Sequence, residues 1–236
     1  MNKHIFEEGL KKWDISYNEK ITDEFSIFSS LLKEGNEKMN LTAITDDDGI
    51  STKHFLDSLS PLSYLNIKEN AKVLDIGTGA GFPGIPLKII RKDIDITLLD
   101  SLNKRILFLG DVKEKLELEK IELLHERAEI LGRNKDYREK YDYVFSRAVA
   151  SLKVLSEYAV PFLKVGGSFY ALKSSEIDEE LNEAKSLIGS MGAKIKEIKE
   201  VEIPFTDIKR KIVQIEKIKN TPEQFPRNNK KIKGKN

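Results

Sequence analysis

The run Val73-Leu74-Asp75-Ile76-Gly77-Thr78-Gly79-Ala80-Gly81-Phe82-Pro83-Gly84 is where this chain of 236 residues most plainly carries the means to do chemistry. An apolar strand leads straight into a glycine-rich turn and then into a helical pattern, the context of a nucleotide-binding loop. Glycine admits positive φ and leaves no Cβ between a ligand and the backbone, which a cofactor lying across strand ends requires. A dinucleotide fingerprint, G-x-G-x-x-G, would place its third glycine at position 82, which is Phe.

The spacing is instead G-x-G-x-G with Asp75 two places before it, the form that points to S-adenosylmethionine as cofactor. Gly77, Gly79 and Phe82 are therefore expected at that cofactor. Asp100 closes the next apolar strand, TLLD, where a carboxylate can accept both ribose hydroxyls of an adenosine or cap the helix that follows. Ala128 and Glu129 follow the third strand and can reach the adenine, or simply begin a helix with an acidic first turn. At the end of the fourth strand stands Ser146-Arg147, in place of the Asn- or Asp-Pro-Pro-aromatic element that handles exocyclic amines.

Composition removes several chemistries. With no cysteine, the chain can form neither disulfides nor thiolate metal sites, and it lacks the nucleophile that methylation at carbon 5 of a pyrimidine needs. His4, His54 and His125 are scattered, so no metal site is expected. What remains is an acceptor that brings its own lone pair or needs deprotonation. Guanine N7 is the natural case, because its lone pair can attack a sulfonium methyl in line without a general base. Arg147 and Lys173, cations at two strand ends, suit alignment of a guanine or its phosphate; each also suits a surface ion pair.

The elements that must position these residues are readable. Residues 1–62 hold helical periodicity, as in ITDEFSIFSSLLKEGNEKMNL, and no alternating strands, which predicts an N-terminal helical cap with a bend near Pro61. From residue 71, short apolar runs (AKVLDIG, IDITLLD, IELLHE, YDYVFS, GGSFYALK) alternate with helices over 84–91, 102–117, 151–160 and 176–191. That alternation predicts an α/β core over 63–218, Rossmann-like, with a mostly parallel seven-stranded sheet covered on both faces. AKIKEIKEVEI and RKIVQIEKI are joined too closely for a crossover helix, so they are expected as a C-terminal antiparallel hairpin at one edge. The whole chain carries +1, but 219–236 holds six basic residues against one acid, leaving −4 for 1–218. That segment is expected as a basic, flexible tail, either solubilising or contacting phosphates. No run is apolar enough to span a bilayer and the first residues lack a signal-peptide pattern, so a cytoplasmic, monomeric protein with no membrane partner is expected.

DIGTGAGFPGIPLKI, TLLDSLNKR, SRAVA, FYALK, NEKMNLTAIT, KHFLDSLS and PEQFPR together resemble the RsmG, or glucose-inhibited division protein B, family of bacterial 16S rRNA guanine-N7 methyltransferases, from about residue 20 to 228. The resemblance implies a class I methyltransferase fold, S-adenosyl-L-methionine as cofactor, and 16S rRNA or the small ribosomal subunit as partner. By matching motif it implies cofactor contacts at Gly77, Phe82, Ala128, Glu129 and Arg147, and substrate handling by Arg127, Arg147 and Lys173. Lys53, His54 and Asp57 match as well, as residues that dock the cap. Two positions depart from the family: Gly35 stands where Trp is usual, and the end reads NNKKIKGKN in place of a Gly-x-Pro pattern. Competing readings are a methyltransferase of a small molecule or protein, and a non-catalytic sensor of S-adenosylmethionine.

Overall fold

The computed structural model describes residues 1–147, 150–174 and 176–232. Ala148 and Val149 of the SRAVA motif, and Lys233 and Lys235 of the basic end, lie outside the described residues. Helices α1 (Lys3–Lys12), α2 (Glu19–Met39), α3 (Asp47–Gly49) and α4 (Asp57–Leu59) come first, with a π-helical stretch, Ile50–Leu56, joining the last two. Then follow β1 (Lys72–Ile76), α5 (Gly84–Ile90), β2 (Asp95–Asp100), α6 (Asn103–Lys115), β3 (Ile121–His125), α7 (Ala128–Leu131) and β4 (Tyr141–Arg147). The chain continues through α8 (Leu152–Ala159), β5 (Leu163–Lys173), α9 (Asp178–Ser190), β6 (Ala193–Glu202), β7 (Lys209–Lys217) and α10 (Asn229–Ile232).

The seven strands lie in the order β3-β2-β1-β4-β5-β7-β6, with β1 to β5 parallel and β7 antiparallel between β5 and β6. This is the expected Rossmann-like sheet with its C-terminal hairpin. Strand order reverses between β1 and β4, and the crevice beyond the carboxyl ends of the strands at such a point is where this architecture binds ligands. Side chains alternate between two cores. Val73, Ile96, Phe145 and Leu172 face one, with α5 and α6; Leu74, Leu99, Val144 and Ala171 face the other, with α8 and α9.

The N-terminal helices do not rest on the sheet as a separate lid. Their Phe6, Phe25, Phe28 and Phe55 belong to the first core and form a chain of ring contacts, 4.4 Å from Phe6 to Phe25 and 4.9 Å from Phe25 to Phe55. Phe28 then meets Phe82 of the glycine loop at 5.5 Å. Asn18 caps the start of α2 by accepting from the Ile21 amide, and Asn40 ends it in the left-handed region at φ 51°. Beyond α4 the chain tightens into a 3₁₀ turn, Ser60–Ser63, at the bend expected around Pro61.

Within the segment 219–236, expected as a basic, flexible tail, residues 221–232 are bonded as a strap to the second core. Arg227 donates to the fully buried Glu157 from Nε (2.8 Å), Nη2 (2.6 Å) and its backbone amide (2.7 Å). Arg138 donates to the carbonyls of Thr221 and Phe225, and Phe225 and Ile232 are buried. A buried carboxylate demands a cation, and this one recruits Arg227 from the segment that composition marks as solvated.

Gly35, in the middle of α2, is explained by the ring of Phe108 on α6. A Cβ built on Gly35 would fall 2.7 Å from Phe108 Cε2, so the ring occupies the space that a side chain on α2 would need. Gly35→Ala is expected to lose about 1–3 kcal/mol to overpacking, although alanine favours a helix interior over glycine by ~1 kcal/mol. In a Phe108→Ala background the same change should become neutral or stabilising. Denaturant melts of the four proteins test this, and a Gly35→Ala penalty that persists without the ring would refute it.

Candidate functional site

A cavity of about 630 Å³ opens at the carboxyl ends of β1, β2 and β4. Its walls include Gly77, Gly79, Phe82, Asp100, Arg127, Ala128, Glu129 and Arg147, so every residue expected at the cofactor, together with Arg127, is brought to one hollow. The loop after β1 is held by bonds that the sequence pattern implies. Gly77 and Thr78 donate to the Leu99 carbonyl (2.8 and 3.1 Å), and Gly79 donates to Asp100 Oδ2 (2.9 Å). Gly79 has φ +61°, and a Cβ there would meet open space. The turn thus presents bare backbone to the cavity.

Asp100 is buried and bonds to the start of the helix that follows it. Its Oδ1 accepts from the Leu102 amide at the start of α6 (2.9 Å), while Oδ2 takes Gly79 and Arg105 Nη1 (3.1 Å). Arg105 Nη1 also reaches Oδ1 (3.4 Å), so protein donors approach all of a carboxylate's roughly four lone-pair sites, and a ligand hydroxyl would take the place of the partly exposed Arg105. Arg127 precedes α7, and the amides of Ala128 and Glu129, in its first turn, donate to no protein group among the described residues. Orphan amides of this kind at a cavity wall are ready for a ligand acceptor.

Asp75 lies beneath the turn, fully buried. Its Oδ2 accepts from the Gly84 amide (2.8 Å), but Oδ1 and the neighbouring Thr78 hydroxyl have no partner at hydrogen-bonding geometry among the described residues. Burial pushes the Asp75 carboxyl up to about 7; the Thr78 hydroxyl and the Gly84 amide offset only part of this.

On the other side of the cavity, Arg147 at the end of β4 is held by the N-terminal helices. It donates to Asp57 Oδ2 (3.1 Å) and to the carbonyls of Lys53 and His54 (3.3 Å each). Asp57 also takes Arg210 of β7, from Nε at 2.7 Å and Nη2 at 3.0 Å. Burial pulls Arg147 below the usual guanidinium range, while Asp57 favours the charge. The His54 ring stacks on Phe82 (4.6 Å, 6° between planes), the guanidinium of Arg147 lies 4.8 Å from the same ring, and His54 Nε2 meets the Thr42 hydroxyl at 2.8 Å. Burial, then Arg147, pushes His54 down to about 4, so it is neutral near pH 7.

Lys173 is elsewhere. It belongs to an adjoining cleft of about 310 Å³ that shares only His54 and Arg147 with the first hollow. There it donates to the Ala150 carbonyl (2.9 Å) and pairs with Glu180 (2.8 Å), whose carboxylate also caps Leu152 of α8. Arg210 and Asp57 line the same cleft. Sequence reasoning missed Arg210, whose partner is 153 positions away.

Residues 21–213 match the family model described as GidB, rRNA small subunit methyltransferase G. The chain is 50% identical to the ribosomal RNA small subunit methyltransferase G of Clostridium perfringens (strain SM101 / Type A), over 90% of this chain and 89% of that protein. It is also 50% identical to the protein of the same name from Clostridium novyi (strain NT), over 94% and 92%. The chain belongs to the rRNA small subunit methyltransferase G family. Among solved structures it is similar in fold to a SAM-dependent methyltransferase from Aquifex aeolicus (TM-score 0.54, 18% identity, 80% of this chain and 97% of that one). It is likewise similar to M. jannaschii TYW2 in complex with AdoMet (TM-score 0.52, 16% identity, 69% and 73%).

Membership in the methyltransferase G family makes this an S-adenosylmethionine-dependent methyltransferase, and the cavity fits that cofactor. Space stands open over Gly79, two orphan amides flank the far wall, and an unpartnered buried carboxylate oxygen awaits a donor or a positive charge.

Two outcomes follow for this family member. Gly79→Val should raise the dissociation constant for S-adenosylhomocysteine at least a hundredfold, roughly the loss of 2.7 kcal/mol or more, because the side chain enters the cavity from a backbone geometry that disfavours it. Unchanged binding in isothermal titration would move the ligand off this turn. Asp75 gives a pH effect: its carboxyl is raised in the fold, so its contribution to stability is complete below about pH 4 and is lost as pH climbs through about 7. Asp75→Asn should therefore gain more in melting temperature over the parent at pH 8 than at pH 5, by several degrees, since ~1 kcal/mol moves Tm by roughly 2–4 °C at this size. Equal gains at both pH values would contradict the assignment.

Proposed function

We propose that this enzyme transfers the methyl group of S-adenosylmethionine to N7 of a guanine in 16S rRNA by direct in-line displacement, with Arg147 aligning the acceptor. The observation that carries this reading is the position of Arg147: it lines both the cofactor cavity and the cleft beside it, where donor and acceptor would meet. S-adenosylmethionine supplies an electrophilic methyl group on a sulfonium sulfur.

The residues around Arg147 agree with an acceptor that needs no base. His54, beside Arg147, has little tendency to take a proton at neutral pH and is stacked against Phe82. Asp57 is consumed by two guanidiniums. Arg147 suits guanine O6 as a donor. Its charge is offset in part by Asp57, which it shares with Arg210, so it orients the base with less repulsion toward a ring that becomes positive on methylation. Arg127, whose guanidinium bonds to no group among the described residues, suits the backbone of the RNA, and Lys173, fixed between α8 and α9, frames the acceptor cleft from below. A monomeric enzyme working in the cytoplasm on ribosomal RNA completes this reading.

Mass analysis of 16S rRNA from cells with and without the gene should show loss of one N7-methylguanine; an unchanged modification pattern would favour a sensor. Arg147→Ala should lower kcat/KM about 10²- to 10³-fold, as removal of an aligning donor does. Its folding should change little, because Asp57 keeps Arg210 as partner. An active Arg147→Ala enzyme would remove this residue from the acceptor side.

A further inference from the structure

The cavity has one wall that neither the glycine loop nor the strand ends supply. Tyr158 of α8 and Asn229 of α10 line it, with the Tyr158 hydroxyl donating to Asn229 Oδ1 at 3.3 Å. Asn229 Nδ2 donates to no group among the described residues. The segment before it is tied to the same end of the cavity as α7. A Cβ built on Gly132, just after α7, would lie 3.2 Å from Pro226 Cγ, and Arg133 Nη2 donates to the Pro226 carbonyl at 2.6 Å.

The strap is held to one position. Arg227 makes a two-pronged ion pair with Glu157, the residue before Tyr158 in α8, and its backbone amide closes a third bond to the same carboxylate. Two residues later comes Asn229. Ile232 is buried in the second core, so the single turn of α10 is anchored on both sides of the asparagine, while Lys230 and Lys231 face solvent. Fixing a backbone at both ends leaves little freedom to the residue between.

We propose that the C-terminal strap is part of the cofactor site: Asn229 contacts the adenosyl end of S-adenosylmethionine, and Arg227, acting through Glu157, is the positioning residue that holds it there. This rests on the reading of the cavity as the S-adenosylmethionine site. The neighbouring amides of Ala128 and Glu129 place a planar, acceptor-rich group at this end, and a carboxamide adds a donor to its rim. The adenosyl half is then enclosed by the chain's own end.

Isothermal titration of the full chain with S-adenosylhomocysteine and with 5′-methylthioadenosine, which lacks the amino acid, tests this. In Asn229→Ala and Arg227→Gln both dissociation constants should rise about tenfold, the scale of one lost hydrogen bond, and Arg227→Lys should recover part of the loss. Hydrogen exchange should show residues 221–232 gaining protection when either ligand binds the parent protein. A strap that is merely structural would lower the melting temperature of the ligand-free variants and leave both constants within twofold of the parent, which overturns the proposal. Loss of affinity for S-adenosylhomocysteine alone would also overturn it, since the contact would then lie at the amino-acid end. A parent chain that binds neither ligand would instead bring down the cofactor reading itself.

Discussion

Everything at the carboxyl end of the sheet depends on the carboxylate of Asp57. It is buried, and it is held by guanidiniums from two strands, Arg147 of β4 and Arg210 of β7, that flank β5 in the sheet. An isolated carboxylate in that position would cost several kcal/mol, and a lone buried guanidinium would cost as much, so Asp57 is not placed without a guanidinium, nor Arg147 without Asp57. The carboxylate therefore spans the top of the sheet and fixes the helical segment that bears it. Arg147 gains a defined direction from this. Its side chain has few alternative rotamers left once Asp57 and the carbonyls of Lys53 and His54 are all satisfied, and the restriction falls on the one cation that faces both hollows.

The second buried carboxylate of the site is managed in the opposite way. Asp75 has no cation in contact and keeps one oxygen unpartnered among the described residues. Among the charged groups that act on it, Arg147 favours ionisation and Asp100 opposes it. In a low-dielectric interior such a group lies near the balance between its two protonation states at neutral pH, and any positive charge brought above the glycine turn shifts that balance toward the ionised form. One carboxylate thus organises the cleft beside β4 by being fully paired, and the other keeps an unpartnered oxygen beneath the glycine turn among the described residues.

The core of the fold was open to reading because its elements are local. The helix read over 84–91 is found at Gly84–Ile90, that over 102–117 at Asn103–Lys115, and that over 176–191 at Asp178–Ser190, each set by a contiguous apolar period. The glycine turn was legible for the same reason: strand, turn and helix are consecutive. Arg210 was not, because it sits in a strand whose pattern concerns the sheet, and its reason for being Arg is a carboxylate 153 residues earlier. Arg227 misled because charge density signals solvation on average, whereas its partner Glu157 is hidden within an apolar helix. Gly35 looked like a defect in α2 until the ring of Phe108, from the next layer, accounted for the missing side chain.

A bare Rossmann-like switch point offers backbone and a few strand-end side chains, which is enough to hold an adenosyl cofactor but says little about what receives its methyl group. In this chain the additions come from both ends of the polypeptide. From the N-terminal side, Asn36 accepts from the Thr42 amide, Thr42 meets His54, and His54 stacks on Phe82 beside Arg147, so the motifs NEKMNLT and KHFLDSL form one relay of contacts ending at the acceptor side. From the C-terminal side, the strap crosses α7 and α8 and closes the opposite wall. The generic loop in the middle of the chain lines the cavity, and the two termini complete it: the helices that Asp57 anchors close one side, and the segment that Glu157 anchors closes the other. Two buried carboxylates, each recruiting arginine across the fold, therefore convert a common architecture into one whose cavity is walled from both ends of the chain.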